Sequence, residues 1–138
     1  MPNPQKAKGS NWERDVARFL SDHYNESFIR SPGSGAYVGG MNQKRKDFLD
    51  EGQIRTFKGD IVPGESFGHL NSECKFYKDF PFHQLFQGKN SLLDEWIEQC
   101  MDVADNGDVN ILFMKFNNKG KFVAVQMPDN KTHIIGLI

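Results

Sequence analysis

At 138 residues and 15.8 kDa the chain has room for one hydrophobic core and none for a second catalytic domain. Its 38% hydrophobic, 12% aromatic and 25% charged residues exclude a collagen-like, wholly disordered or disulfide-scaffold protein. A formal net charge of −1 excludes a uniformly basic nucleic-acid glue, yet the surplus is uneven, +3 over residues 1–58 and −4 over 59–138.

In chain order, residues 1–9 carry Pro2, Pro4 and Gly9 and read as a flexible tail. Ser10-Asn11-Trp12-Glu13 has the form of a capping box, and Trp12, Val16, Phe19 and Leu20 give one apolar helix face through about His23. Phe28-Ile29-Arg30 reads as a first strand. Residues 32–58 form a long, basic, Gly-rich loop with a short helix expected near Lys46–Leu49. Asp60-Ile61-Val62 and His69–Phe76 are strand-like and separated by the turn Pro63-Gly64-Glu65, which predicts a hairpin. Ser91 is positioned to cap a helix to about Ala104 with the stripe Leu92, Leu93, Trp96, Ile97, Cys100 and Met101. Val109–Phe116 and Lys121–Met127, joined by Asn117-Asn118-Lys119-Gly120, predict a second hairpin. The order α, β, β, β, α, β, β predicts a single α/β domain, a central mixed β-sheet with helices on both faces.

Four residues carry candidate chemistry: Glu13 on the first helix, Asp60 at the start of a strand, and Glu73 and Lys75 on the next. Strand alternation puts Glu73 and Lys75 on one face and Cys74 on the other. If Asp60 converges on them, two carboxylates and an ammonium share a pocket. Mg²⁺ prefers oxygen ligands and is typically held by one or two carboxylates, waters and substrate phosphate. Asp60 and Glu73 would be its ligands, Lys75 would orient a water and offset charge at phosphorus, and Glu13 would hold a second ion or a metal-bound water. Mn²⁺ could replace Mg²⁺ on such ligands. The same residues admit a plainer reading: a turn aspartate, a solvated same-face pair and a cap glutamate.

Gly59-Asp60, twelve residues, then Glu73-Cys74-Lys75, behind a helix bearing Glu13, resembles the PD-(D/E)xK nuclease superfamily. More closely, Lys8-Gly9-Ser10-x-x-Glu13-Arg14 and Arg30-Ser31-Pro32-Gly33-Ser34-Gly35 resemble the KGxxxER and RxPxSG segments of the archaeal-type (Hjc-like) Holliday junction resolvases, small enzymes familiar from archaea and bacterial viruses. The resemblance covers about residues 8–76, and more weakly the following helix and the strand ending at Phe116. It implies a restriction-endonuclease-like core with Glu13, Asp60, Glu73 and Lys75 as catalytic residues and the Cys74 backbone carbonyl as a further metal ligand. It also implies that Ser34 and Arg30 lie at the active site or on DNA. Gly59 stands where the motif has proline, and the stretch between Gly35 and Gly59 exceeds what compact members need.

The function expected from this resemblance is a Mg²⁺-dependent, structure-selective endonuclease that cuts four-way DNA junctions as a homodimer, two symmetric incisions matching two equivalent sites. Lys6, Lys8, Arg14, Arg18, Arg30, Ser34, Lys44, Arg45 and Lys46 would contact DNA, the basic ones through backbone phosphates, although a run such as Lys44–Arg45–Lys46 also reads as a solvated face. The runners-up are another PD-(D/E)xK nuclease acting on linear duplex or single-stranded DNA, and a DNA-binding module without catalysis.

Cys74 and Cys100 lack zinc-finger spacing, and His23, His69, His83 and His133 form no HxH or HExxH pair. The run Phe76, Tyr77, Phe80, Phe82 and Phe86 reads as core packing more readily than base stacking. No apolar stretch approaches about 18 residues, and the N-terminus lacks a signal-peptide core, so a cytoplasmic protein with reduced thiols is expected, in the host cytoplasm if viral.

Overall fold

The computed structural model describes residues 3–31, 59–126 and 132–137. Helix α1 spans Pro4–Tyr24, strand β1 Ile29–Arg30, β2 Ile61–Val62, β3 Leu70–Tyr77, helix α2 Ser91–Asp102, β4 Val109–Phe116, β5 Gly120–Gln126 and β6 Thr132–Leu137. The expected loop 32–58, with its short helix, lies outside the described residues.

The main sheet has the order β3-β4-β5-β6. β3 runs parallel to β4, with α2 as the crossover between them, while β4-β5 and β5-β6 are antiparallel, so the sheet is mixed as expected. Alternation along the strands divides the core in two. Leu112, Met114, Phe116 and Ala124 pack against Leu93, Trp96, Ile97 and Cys100 of α2. Phe113, with Cys74, Phe76, Ile111 and Val123 around it, packs against Trp12, Val16, Ala17 and Leu20 of α1. The helices therefore cover opposite faces, and the Trp12 indole N–H fastens α1 to β4 by donating to the Phe113 carbonyl at 2.9 Å.

Several sequence expectations are corrected. Residues 4–9 are helical rather than a loose tail, because Asn3 accepts from the Gln5 amide and Pro4 occupies the first turn, where its missing N–H costs nothing. Ser10 consequently sits inside α1 and caps nothing. Asn90, not Ser91, caps α2, its side-chain oxygen accepting from the Leu93 amide at 3.0 Å. The proposed hairpin of residues 60–62 with β3 does not form. β2 pairs instead with β1, Ile61 opposite Arg30, and a 3-10 turn at Glu65–Phe67 carries the chain onward to β3. β6 was not anticipated.

One backbone bond ties the small β1-β2 ribbon to the free edge of β3, the Asp60 amide donating to Ser72 O at 2.8 Å, while the Ser31 amide donates to Asp60 O at 2.8 Å and so extends the pairing within the ribbon. Gly59 makes the approach to β3 possible. Its φ is +74°, which proline, fixed near −65°, cannot adopt, and a Cβ there would lie 2.6 Å from Ser72 O. The glycine in place of the motif's proline is thus a requirement of this backbone.

Candidate active site

β3 is an edge strand, and its unpaired side is where the charged residues collect. The Cys74 amide points to that side and donates to the Asp60 carboxylate at 2.7 Å. Since the N–H and C=O of one strand residue face the same way, the Cys74 carbonyl is directed to this edge too. The fixed Asp60 carboxylate, itself buried, is hydrogen-bonded by the Glu73 side chain.

Burial, that hydrogen bond and the charge of Asp60 together push Glu73 up to about 9, with Lys75 opposing and Glu13 adding to the rise. Two carboxyl groups in contact and partly shielded from water favour holding a proton between them. Glu13, buried on α1, is raised as well, first by burial and then by Asp60, against the lowering effect of Arg30. The structure therefore brings Glu13, Asp60, Glu73 and Lys75 into one electrostatic neighbourhood, as their spacing suggested.

Arg30 bonds to Glu13 through Nε, as an ion pair, and its Nη2 donates to Ser10 Oγ at 3.1 Å. Ser10, Glu13 and Arg30 come from the two motif segments that are far apart in sequence, and this contact joins them. Arg30 is thereby engaged with protein groups beside the carboxylates. Lys75 reaches α2, donating to Gln99 Oε1 at 2.9 Å, with the Trp96 ring 5.9 Å from its Nζ. Gln99 escaped the sequence reading because an exposed polar helix residue carries no local signal.

A cleft of about 550 Å³ runs from the first turns of α1 to the β3 edge, lined by Lys6, Lys8, Lys75, Phe76, Tyr77 and Lys78 among others. It gathers two of the expected DNA contacts, Lys6 and Lys8. Arg14 is hydrogen-bonded to Asn11 on the exposed side of α1, and its charge reaches Glu13. Arg18 is exposed on the same helix. Ser34, Lys44, Arg45 and Lys46 lie outside the described residues. An apolar cavity of about 540 Å³ lies at the other end of α1, around Phe19, Tyr24, Phe67 and Val123; no carboxylate lines it, so it is not the catalytic pocket.

The residues set aside have ordinary places. Both cysteines are free; burial pushes the Cys74 thiol well up and that of Cys100 up to about 12, so neither is a nucleophile. His69 pairs with Asp108 and His23 stacks on Phe19. Phe80 and Phe82 belong to the α2-side core, whereas Phe86 is exposed.

Among the described residues no three His, Cys, Asp or Glu side chains form a metal cluster. The edge offers two carboxylates and a backbone carbonyl, a donor set that suits a hard, partly hydrated cation completed by water and phosphate. Among the described residues no helix is long and apolar enough to cross a membrane.

Compared with known families, residues 4–135 match the family described as "Phage putative PDDEXK endonuclease". No curated protein and no solved structure matches the chain.

Proposed function

We infer that this chain, which belongs to the phage PDDEXK endonuclease family, is a divalent-metal-dependent, structure-selective DNA endonuclease that resolves four-way junctions as a homodimer. Nuclease chemistry follows from the family. The observation that carries the catalytic assignment is the contact of Asp60 with Glu73 at the free edge of β3, with Lys75 on the same strand. Support for the junction as substrate comes from the resolvase-like segments around Ser10, Glu13 and Arg30, which meet in one hydrogen-bonded group.

In this reading Asp60, Glu73 and the Cys74 carbonyl hold Mg²⁺, or Mn²⁺ in its place, and Glu13 holds water beside it. The ion, when bound, polarises a phosphoryl oxygen and acidifies a water. The protein's own groups supply the rest. The Cys74 amide keeps the Asp60 carboxylate aimed into the site, Arg30 orients Glu13, and the Lys75 ammonium, steadied by Gln99, offsets negative charge growing on the phosphoryl group. Lys6 and Lys8 in the adjoining cleft contact backbone phosphates, which fix position without reading sequence.

The test compares cleavage of an immobile four-way junction with that of a linear duplex of the same sequence, in Mg²⁺ and in EDTA. Paired symmetric incisions in the junction, with the duplex left intact, are expected. Equal rates on both substrates would remove the junction assignment and leave a nuclease of linear DNA. Asp60→Asn and Lys75→Ala are expected to abolish Mg²⁺-dependent cutting while DNA binding persists; unchanged cutting would displace the site.

A further inference from the structure

Beyond the cleft, three lysines converge over two aromatic rings on the α1 face of the sheet. Lys115 Nζ stands 5.7 Å from the Trp12 ring and 4.8 Å from the Phe76 ring; Lys121 Nζ is 5.9 Å from Trp12, and Lys8 Nζ 4.1 Å from Phe76. Lys115 and Lys121 are direct cross-strand partners on β4 and β5. Like charges placed directly opposite one another destabilise a sheet. Among the described residues neither is ion-paired, whereas Lys119, in the turn between them, is bridged to Asp79 at 3.2 Å. Their stems cover the buried Trp12, held by its bond to Phe113 O, so this indole is a floor rather than a stacking platform. What the patch leaves free is positive charge.

The patch is also continuous with the site. Lys8 and Phe76 belong both to it and to the cleft that contains Lys75. We propose that Lys115 and Lys121, with Lys8, form a second phosphate-binding site that holds the DNA backbone on the α1 face of the sheet, extending the track that begins at Lys75. The ligand class is the phosphodiester backbone of duplex DNA, since compact ammonium groups above a covered ring supply charge and donors for phosphate oxygens while the ring itself is closed to base stacking. This inference rests on the nuclease reading for its ligand, but its own residues lie outside the catalytic group.

The experiment measures binding of a fluorescent 30-base-pair duplex by anisotropy, with Ca²⁺ in place of Mg²⁺, between 0.05 and 0.3 M NaCl, values on the order of the salt range over which phosphate contacts are read. Lys115→Gln with Lys121→Gln is expected to weaken binding about tenfold or more at 0.1 M salt and to reduce the slope of log K against log salt by about 1.8, two contacts at about 0.9 each. Lys115→Arg with Lys121→Arg should retain both, and Lys89→Ala, at an exposed lysine that lines neither the patch nor the cleft, should change neither. The melting temperature of each variant shows that the fold is intact, and the Arg pair keeps the test valid should the Gln pair unfold, since loss of binding by a folded Arg pair overturns the proposal. A folded Gln pair with parental affinity and slope overturns it while parental cleavage in Mg²⁺ continues. Absent cleavage with lysine-dependent binding would instead overturn the nuclease reading and keep the site; a parent that neither cuts nor binds overturns both.

Discussion

Against α2 the sheet presents Leu112, Met114, Phe116 and Ala124, and Phe80 stacks between Phe116 at 4.9 Å and Trp96 at 5.7 Å. Along the free edge of β3, and against α1, the same sheet instead holds Glu13, Asp60 and Glu73 with little water around them. One region is apolar, aromatic and mutually satisfied. The other keeps like charges together, which proteins elsewhere avoid. Stability and chemistry are therefore separated between the middle of the sheet and its edge: the packed interior holds the strands in register, and the free edge of β3 uses that rigidity to keep acids close together.

Paired substitutions break the comparison most sharply. Phe116→Ala, at a residue 1% exposed, is expected to cost about 3–5 kcal/mol in a denaturant melt, the usual range for a buried phenylalanine. Glu73→Gln should leave stability close to the parent's, because glutamine, like the protonated Glu73, is neutral and can donate to Asp60, yet reduce cleavage by about 10²-fold or more. If Glu73→Gln destabilised the protein as severely as Phe116→Ala, the edge would be structural and the division would fail.

Much of this division was legible in the chain. The stripe of Leu93, Trp96, Ile97 and Cys100 declares one buried face of α2, and strand alternation separates Glu73 and Lys75 from Cys74. The pairing of Lys115 with Lys121 could also be counted outward from the turn that sets Phe116 opposite Gly120. What stayed hidden depends on tertiary contacts. Nothing local shows that Asp60 reaches β3 through its backbone and carboxylate rather than through a hairpin, or that Gly59 needs a positive φ because Ser72 O lies against it. Pro4 and Gly9 suggested a tail because they usually break helices; the Asn3 cap and a first-turn proline outweigh them here.

Titration sharpens the same contrast with a smaller effect. Glu73 is raised from 4.5 to about 9, so the stability linked to its neutral form is complete below about pH 4.5 and lost as pH rises through about 9. Glu13 is displaced in the same direction. In EDTA the melting temperature of the parent should therefore fall relative to that of Glu73→Gln as pH increases across this window. Mg²⁺ should restore it, and its apparent affinity should rise with pH, up to about tenfold per unit, as the ion displaces the shared proton. Parallel melting curves for the two proteins from pH 5 to pH 9 would mean that Glu73 is not held protonated by Asp60.

The smallest effect belongs to Gln99, where the two regions touch, since α2 packs the apolar core with Trp96 and Ile97 while lending Gln99 Oε1 to the Lys75 ammonium at 2.9 Å. A hydrogen bond at an exposed position is worth roughly 0.5–1.5 kcal/mol net, so Gln99→Ala is expected to lower kcat about 2–10-fold. DNA affinity should not move and the melting temperature should fall by only a few degrees at most, because the residue is exposed and touches Lys75 alone among the groups assigned to catalysis. Glu98→Ala on the same helix serves as the control. Gln99→Glu keeps an acceptor for the Lys75 ammonium, so it should recover activity. A Gln99→Ala variant with parental kcat would show that α2 supports the site only as a wall, and that Lys75 finds its place from β3 alone.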